Sequence, residues 1–259
     1  MKMDLPSSSH GSYLEIDYAM LDSIIIWINA VDESKGTLIE KYELGDTLPF
    51  AQRPVIHDRF LVPIPRTDEN LQVILRVRSN GPVKSPLKIW TAQEYMAYTG
   101  SHRLFMGLFF GYMLAMGLIN FFVFFTTRNK VYFAYAGYVF AFALLIASVH
   151  GLGFRFLWPD SPWMQERSTA IFAYMMMSFV LVFSYQILNL KEIGGTYAKI
   201  FKFLTFFYIA ATLASLLVSY SFMIKLLLLL FLFAIPVILY VSVSLAVRGS
   251  VIARYFSAA

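Results

Sequence analysis

Residues 104–127 read LFMGLFFGYMLAMGLINFFVFFTT, 24 residues between Arg103 and Arg128 without one formal charge. About 20 apolar residues rising 1.5 Å each cross the roughly 30 Å hydrocarbon core of a bilayer, so this stretch predicts a membrane-spanning helix. It also divides the chain. Upstream the sequence is polar, proline-punctuated and strand-like; downstream it repeats the same charge-free pattern. The expectation is a multi-domain membrane protein, with an antiparallel β-sandwich in residues 1–100 followed by an α-helical transmembrane bundle in residues 101–259.

Further charge-free runs follow at 131–154, 168–190, 203–224 and 226–247, each bounded by Lys or Arg. They predict five complete spans, at about 104–126, 131–150, 168–189, 203–221 and 226–247, with 253–259 opening a sixth. Composition agrees: the chain is 58% hydrophobic and only 14% charged, against about 25% charged in ordinary soluble domains. Residues 1–103 carry 11 basic and 13 acidic side chains, whereas residues 104–259 carry 10 basic and 3 acidic ones. The basic surplus therefore sits between the spans, where it reports topology and not nucleic-acid binding. If the sandwich is outside, the inner loops hold Arg128, Lys130, Lys191, Lys199, Lys202, Arg248 and Arg254, and the outer loops only Arg155, Arg167 and Lys225. This predicts a multi-pass membrane protein with the sandwich on the outer (periplasmic) side.

The upstream half reads as six short strands. Leu14, Ile16 and Tyr18 alternate with Glu15 and Asp17; Leu21 to Ala30 predicts a more fully buried strand; Thr37 to Leu44, Phe60 to Ile64, Leu71 to Val77 and Leu87 with Ile89 supply the others. Gly45-Asp46, Pro49 and Asn80-Gly81-Pro82 turn the chain between them. An antiparallel sandwich with one solvated face follows. Met1 to Gly11 lacks the apolar core of a signal peptide, so an exported domain here implies an internal piece of a longer protein, with the sandwich incomplete at its N-terminus.

There is no cysteine, and His10, His57, His102 and His150 are scattered. No metal site, cofactor site or catalytic motif is expected. Other features point to binding and coupling. Gly107 and Gly111 form a small-xxx-small pair, which packs within the bundle or forms the seam of a homodimer. Asn120 lies deep in the first span and needs a partner on another helix. In GLGFRFLWPDSPWMQER (151–167), Trp158 and Trp163 read as interfacial anchors. The other reading makes Phe154, Trp158 and Trp163 the seat of the sandwich, with Arg155 a polar contact. Asp46, Arg53, His57 and Arg59 gather around a turn, as loop structure or as the lining of a ligand cleft.

Taken together, YLEIDYAMLDSIIIWI, GDTLPFAQRPVIHDRFLVPI and LRVRSNGPVKSPLKIW resemble the second type of extracellular domain of bacterial seven-transmembrane receptors with diverse intracellular signalling modules (7TMR-DISM). GLFFGYMLAMGLINFFVFF, RNKVYFAYAGYVF, GLGFRFLWPDSP and VRGSVIARYF resemble the membrane part of the same family. The resemblance implies a jelly-roll-like sandwich that binds carbohydrate or another small ligand, seven spans, and a cytoplasmic histidine kinase or diguanylate cyclase. This chain holds no such output domain and is expected not to be an enzyme itself. The rival reading is a transporter or channel, against which stands the lack of acidic or basic residues within the spans.

Overall fold

The computed structural model describes residues 1–6, 9, 11–31, 36–79 and 86–258. The Asn80-Gly81-Pro82 turn and His10 lie outside them. The chain divides into two compact units, residues 1–108 with 146–166, and residues 109–145 with 167–259.

Among its described residues the first unit is built on seven strands: β1 (Lys2–Leu5), β2 (Tyr13–Ile16), β3 (Ser23–Val31), β4 (Gly36–Leu44), β5 (Phe60–Pro63), β6 (Asn70–Arg78) and β7 (Leu87–Trp90). They form a four-stranded sheet, β1-β6-β3-β4, and a three-stranded sheet, β5-β2-β7. Every pairing is antiparallel. Alternation drives the packing, because successive side chains leave a strand on opposite faces. Leu14 and Ile16 of one sheet meet Ile24, Ile26, Ile28, Leu71, Val73 and Leu75 of the other in one core. Full burial of each such side chain contributes about 1.5–3 kcal/mol.

Three features differ from expectation. Lys2–Leu5 is a strand paired with β6, although KMDL is too short and too charged to read as one. β3 is buried on one face only, with Ile25, Trp27 and Asn29 half-exposed, because the four-stranded sheet packs one side against its partner. The outer face of the three-stranded sheet, expected to be solvated, is covered: Glu15 is fully buried.

What covers it is the start of α1 (Ala92–Thr127). Thr91 and Glu94 form a capping box, each side chain accepting from the other's backbone N–H at 3.3 and 3.2 Å. The helix starts two residues after the last strand and runs 36 residues, through Gly100 and into the charge-free run. From Ala92 onward, strand and span are therefore joined by helix alone. The first unit is completed by the end of α2 (Lys130–Val149), by α3 (Leu152–Phe156) and by the first turn of α4 (Pro162–Ile187).

The second unit contains the rest of α1, α2 and α4, then α5 (Leu190–Ile193), α6 (Gly195–Ala214), α7 (Tyr220–Val247) and α8 (Val251–Ala258). Among the described residues, α1, α2, α4, α6 and α7 are long and apolar enough to cross a membrane. Tyr174, Phe201 and Tyr208 are fully buried between them, and the Tyr174 hydroxyl donates to the Met223 carbonyl at 2.7 Å. Close helix approach occurs at Gly117 against Phe140 and at Gly137 against Phe179. At Gly107 and Gly111 an added Cβ would meet no described atom within 4 Å. The expected packing of that pair within the bundle is absent, because almost none of the apolar run of α1 is buried. Asn120 does not reach a neighbouring helix either; its amide donates to the Met116 carbonyl of its own helix at 2.9 Å.

Candidate functional site

The loop from β4 to β5 folds around Arg53. Gly45 permits the first bend: its φ is +152°, and a Cβ there would fall on the Asp22 carbonyl. The Asp46 N–H then donates to the Leu21 carbonyl at 2.9 Å, and Pro49 leads into a 3₁₀ turn at Phe50–Gln52. Arg53 turns inward. Its Nη1 donates to the backbone carbonyls of His57, Asp58 and Arg59 at 2.9, 3.1 and 3.4 Å. Its guanidinium lies 4.4 Å from the ring centre of Phe60, 4.6 Å from Phe50 and 5.6 Å from Phe154, a cation–π cage. Its Nε and Nη2 are buried without a hydrogen-bond partner, as is Oδ1 of Asp46. Burial pushes the Asp46 carboxyl up to about 7, with Asp22 and Glu166 adding to the effect and Arg53 opposing it. Burial likewise brings Arg53 down to about 10 against the pull of Asp46 and Asp58.

His57 and Arg59 are committed elsewhere. His57 Nδ1 accepts from the Arg59 backbone N–H at 3.2 Å, and its ring meets Tyr95 of α1 at 5.5 Å. Burial, with help from Arg155, Arg103 and Arg59, holds it down at about 4 despite Asp58, so it is neutral at physiological pH. Arg59 points to the other side of the loop, pairing with Asp17 and with Glu15.

That pairing belongs to a cluster on the outer face of the three-stranded sheet. Glu15 accepts from the indole N–H of Trp90 at 2.6 Å and faces Arg59 Nη1 at 3.4 Å. Asp17 also takes Lys88 at 2.6 Å, a bond that holds the ammonium pKa above its ordinary value. Arg59 Nη1 donates to the Tyr98 hydroxyl of α1 at 3.2 Å. The Tyr98 ring stacks on Trp90 at 4.9 Å and on His102 at 5.9 Å. Two carboxylates and two cations thus bind the sheet to Tyr98 of the helix, whose ring carries the contact on to His102. Glu15 and Asp17 in a period-two strand read as solvent-facing. The missed signal was the aromatic company on the same face, Tyr13 and Trp90, together with Tyr95 and Tyr98 just downstream.

A second attachment joins the sandwich to residues 151–166. Gly151 opens α3 with φ +76°, and a Cβ there would overlap the Asp58 carbonyl and lie 2.9 Å from the Ala19 Cβ. Phe154 is fully buried, its ring edge-on to Phe50 at 5.6 Å. Arg155 Nη1 donates to Asp58 Oδ1 at 3.3 Å, and the Phe50 N–H donates to the Pro159 carbonyl at 3.1 Å. Trp158 packs over Gly153 and donates to Gln165 at 3.1 Å, so it braces its own loop. Trp163 is 49% exposed.

Of the residues singled out in sequence, the structure therefore brings together Arg53, His57, Phe154 and Arg155 around the β4–β5 loop, with Asp46 close enough for its charge to act on Arg53. Arg59 joins the other cluster. Gly107, Gly111 and Asn120 belong to neither. Among the described residues no three His, Asp or Glu side chains are grouped as a metal would require.

Two family models match the chain: 7TMR-DISM extracellular 2 over residues 1–91, and 7TM diverse intracellular signalling over residues 102–259. No curated protein and no solved structure matches it.

Proposed function

Because the chain belongs to the 7TM diverse intracellular signalling family, transmembrane receptors that carry an extracellular domain, we propose that its sandwich recognises a small extracytoplasmic molecule and relays that state into the membrane helices. A carbohydrate is the ligand class we favour. The relay ends on a cytoplasmic signalling domain encoded elsewhere in the parent protein, of histidine kinase or diguanylate cyclase type. The sandwich faces the periplasm of a bacterial inner membrane in this reading, since seven basic residues flank the spans on the opposite side and three on its own.

The observation that carries the proposal is the cluster of Glu15, Asp17, Arg59, Lys88 and Trp90 against Tyr98. It fastens a sensor sheet to a helix that continues unbroken into the first span. A ligand that favours one arrangement of the sheet then favours one placement of α1, which is the differential affinity any such relay requires. Arg53 and Asp46 are the ligand contacts best suited to this role, because they alone in the loop keep buried polar atoms without partners. His57 and Arg59 act as supports.

The test uses the parent receptor with its output domain. A flexible Gly/Ser insertion of about ten residues after Gly100 should reduce output to its ligand-independent level. Binding, followed as a ligand-induced rise in melting temperature over a panel of sugars, should stay within about twofold. Output that still follows ligand at full amplitude would refute the relay through α1.

A further inference from the structure

The second unit contains a half-open groove of about 190 Å³ between α2, α4 and α8. Its walls are Tyr135 and Tyr138 of α2, Val180, Phe183 and Ser184 of α4, and Phe256 of α8. The rings form a connected row, with Tyr135 5.6 Å from Phe183, and Phe183 6.2 Å from Phe256. The Ser184 hydroxyl is occupied, donating to the Val180 carbonyl at 2.7 Å. Apart from this hydroxyl and those of the two tyrosines the lining is apolar, so a polar solute does not suit it.

Depth narrows the occupant. Lys130 opens α2, and at 1.5 Å per residue Tyr135 and Tyr138 sit about 8 and 12 Å further along the helix. Arg254 lies two residues before Phe256 on α8. Lys130 and Arg254 are both exposed. The same ends of the helices carry Arg128, Lys191 and Arg248, with Glu192 the one carboxylate among them. An apolar slot close to helix ends that carry cations is the order of an acyl chain and a phosphate. We infer that this groove holds an acyl chain of an anionic phospholipid, whose phosphate is taken by Lys130 and Arg254. Long basic side chains at a helix end reach the headgroup layer while their stems stay on apolar surface. The site is independent of the ligand reading given above and of which leaflet the basic loops face.

Native mass spectrometry of the full chain in a maltoside micelle tests it, titrating phosphatidylglycerol against phosphatidylcholine of the same chains. Phosphatidylglycerol should be retained at about tenfold lower concentration, because basic residues attract an anionic headgroup. The exposed double variant K130Q/R254Q should lower its retention to the phosphatidylcholine level, and Val180→Phe, which fills the slot, should lower retention of both lipids. Equal retention by the unaltered chain would mean annular contact only and would overturn the site. So would a preference that survives K130Q/R254Q, or a groove occupied by protein that retains no lipid. Monodispersity after extraction reports folding; if V180F fails it, the charge variant decides.

Discussion

The carboxylate of Glu15, fully buried, accepts a 2.6 Å hydrogen bond from the indole N–H of Trp90 on the adjacent strand. Its other oxygen faces Arg59, whose side chain is 13% exposed. Replacing Glu15 by Ala strands an indole donor and removes one of two carboxylates from a largely buried guanidinium. Hydrogen bonds to charged groups contribute about 1.5–3 kcal/mol, and breaking a buried pair costs about 3–5. We expect Glu15→Ala to lower stability by about 3 kcal/mol and Glu15→Gln by less, read as midpoint shifts in denaturation of the purified chain.

Gly151→Ala addresses the second attachment. Its φ of +76° costs a residue with a side chain about 1–2 kcal/mol, and the new methyl group would press on the Asp58 carbonyl. Faster amide exchange in residues 50–59 and 151–159 is expected, with exchange in α6 unchanged. Equal protection in variant and parent would show that the carbonyl moves aside freely.

Phe154 and Trp163 separate a seat from a surface residue. Truncating a buried phenylalanine costs about 3–5 kcal/mol, so Phe154→Ala should lower the melting temperature by several degrees. Trp163, half exposed, should cost about 1 kcal/mol or less on replacement by Ala. Thermal melts of the two variants side by side decide between them.

Acid and base act on the β4–β5 loop through different groups. The Asp46 carboxyl sits at about 7 in the fold against about 3.9 in an unfolded chain. Between those values the folded state keeps a proton that the unfolded state has lost, so stability falls as pH rises toward and through 7. His57 at about 4, against about 6.5 unfolded, refuses a proton that the unfolded chain accepts, so stability falls as pH drops from 6.5 to 4. The two oppose each other over that range, and above 6.5 Asp46 acts alone. The melting temperature should therefore decline from pH 6.5 to 8, and Asp46→Asn should flatten that decline.

The sandwich strands and the five long helices were legible because each rests on one local signal, alternation or an unbroken apolar run. β1 was not, since Lys2–Leu5 gains strand character only from its pairing with β6. The β4–β5 loop was visible as a gathering of polar and aromatic residues, but not the division of labour within it. Arg53 and Arg59 are equivalent in sequence terms, and only the fold sends one into an aromatic cage and the other to Glu15 and Asp17. Gly107 and Gly111 carried the spacing rule without meeting a described neighbour, whereas Gly117 approaches Phe140 with no small residue four positions away, because close approach depends on which helix face meets a neighbour.

The continuity of α1 gives the chain a counting property. Thirty-six helical residues follow one another from Ala92 to Thr127, and an unbroken helix passes on rotation as well as displacement. Each residue added between Gly100 and Ser101 advances everything downstream by about 1.5 Å and turns it by about 100°. One extra alanine therefore swings the exposed azimuth of Phe105, Leu108 and Tyr112 by more than a quarter turn, whereas seven return it to within about 20°. Output from the parent receptor should rise and fall with insertion length at the helical period, lost at one residue and largely recovered at seven. In the relay proposed above, the message crossing this junction is an angle, kept in register by the residue count between Trp90 and the membrane.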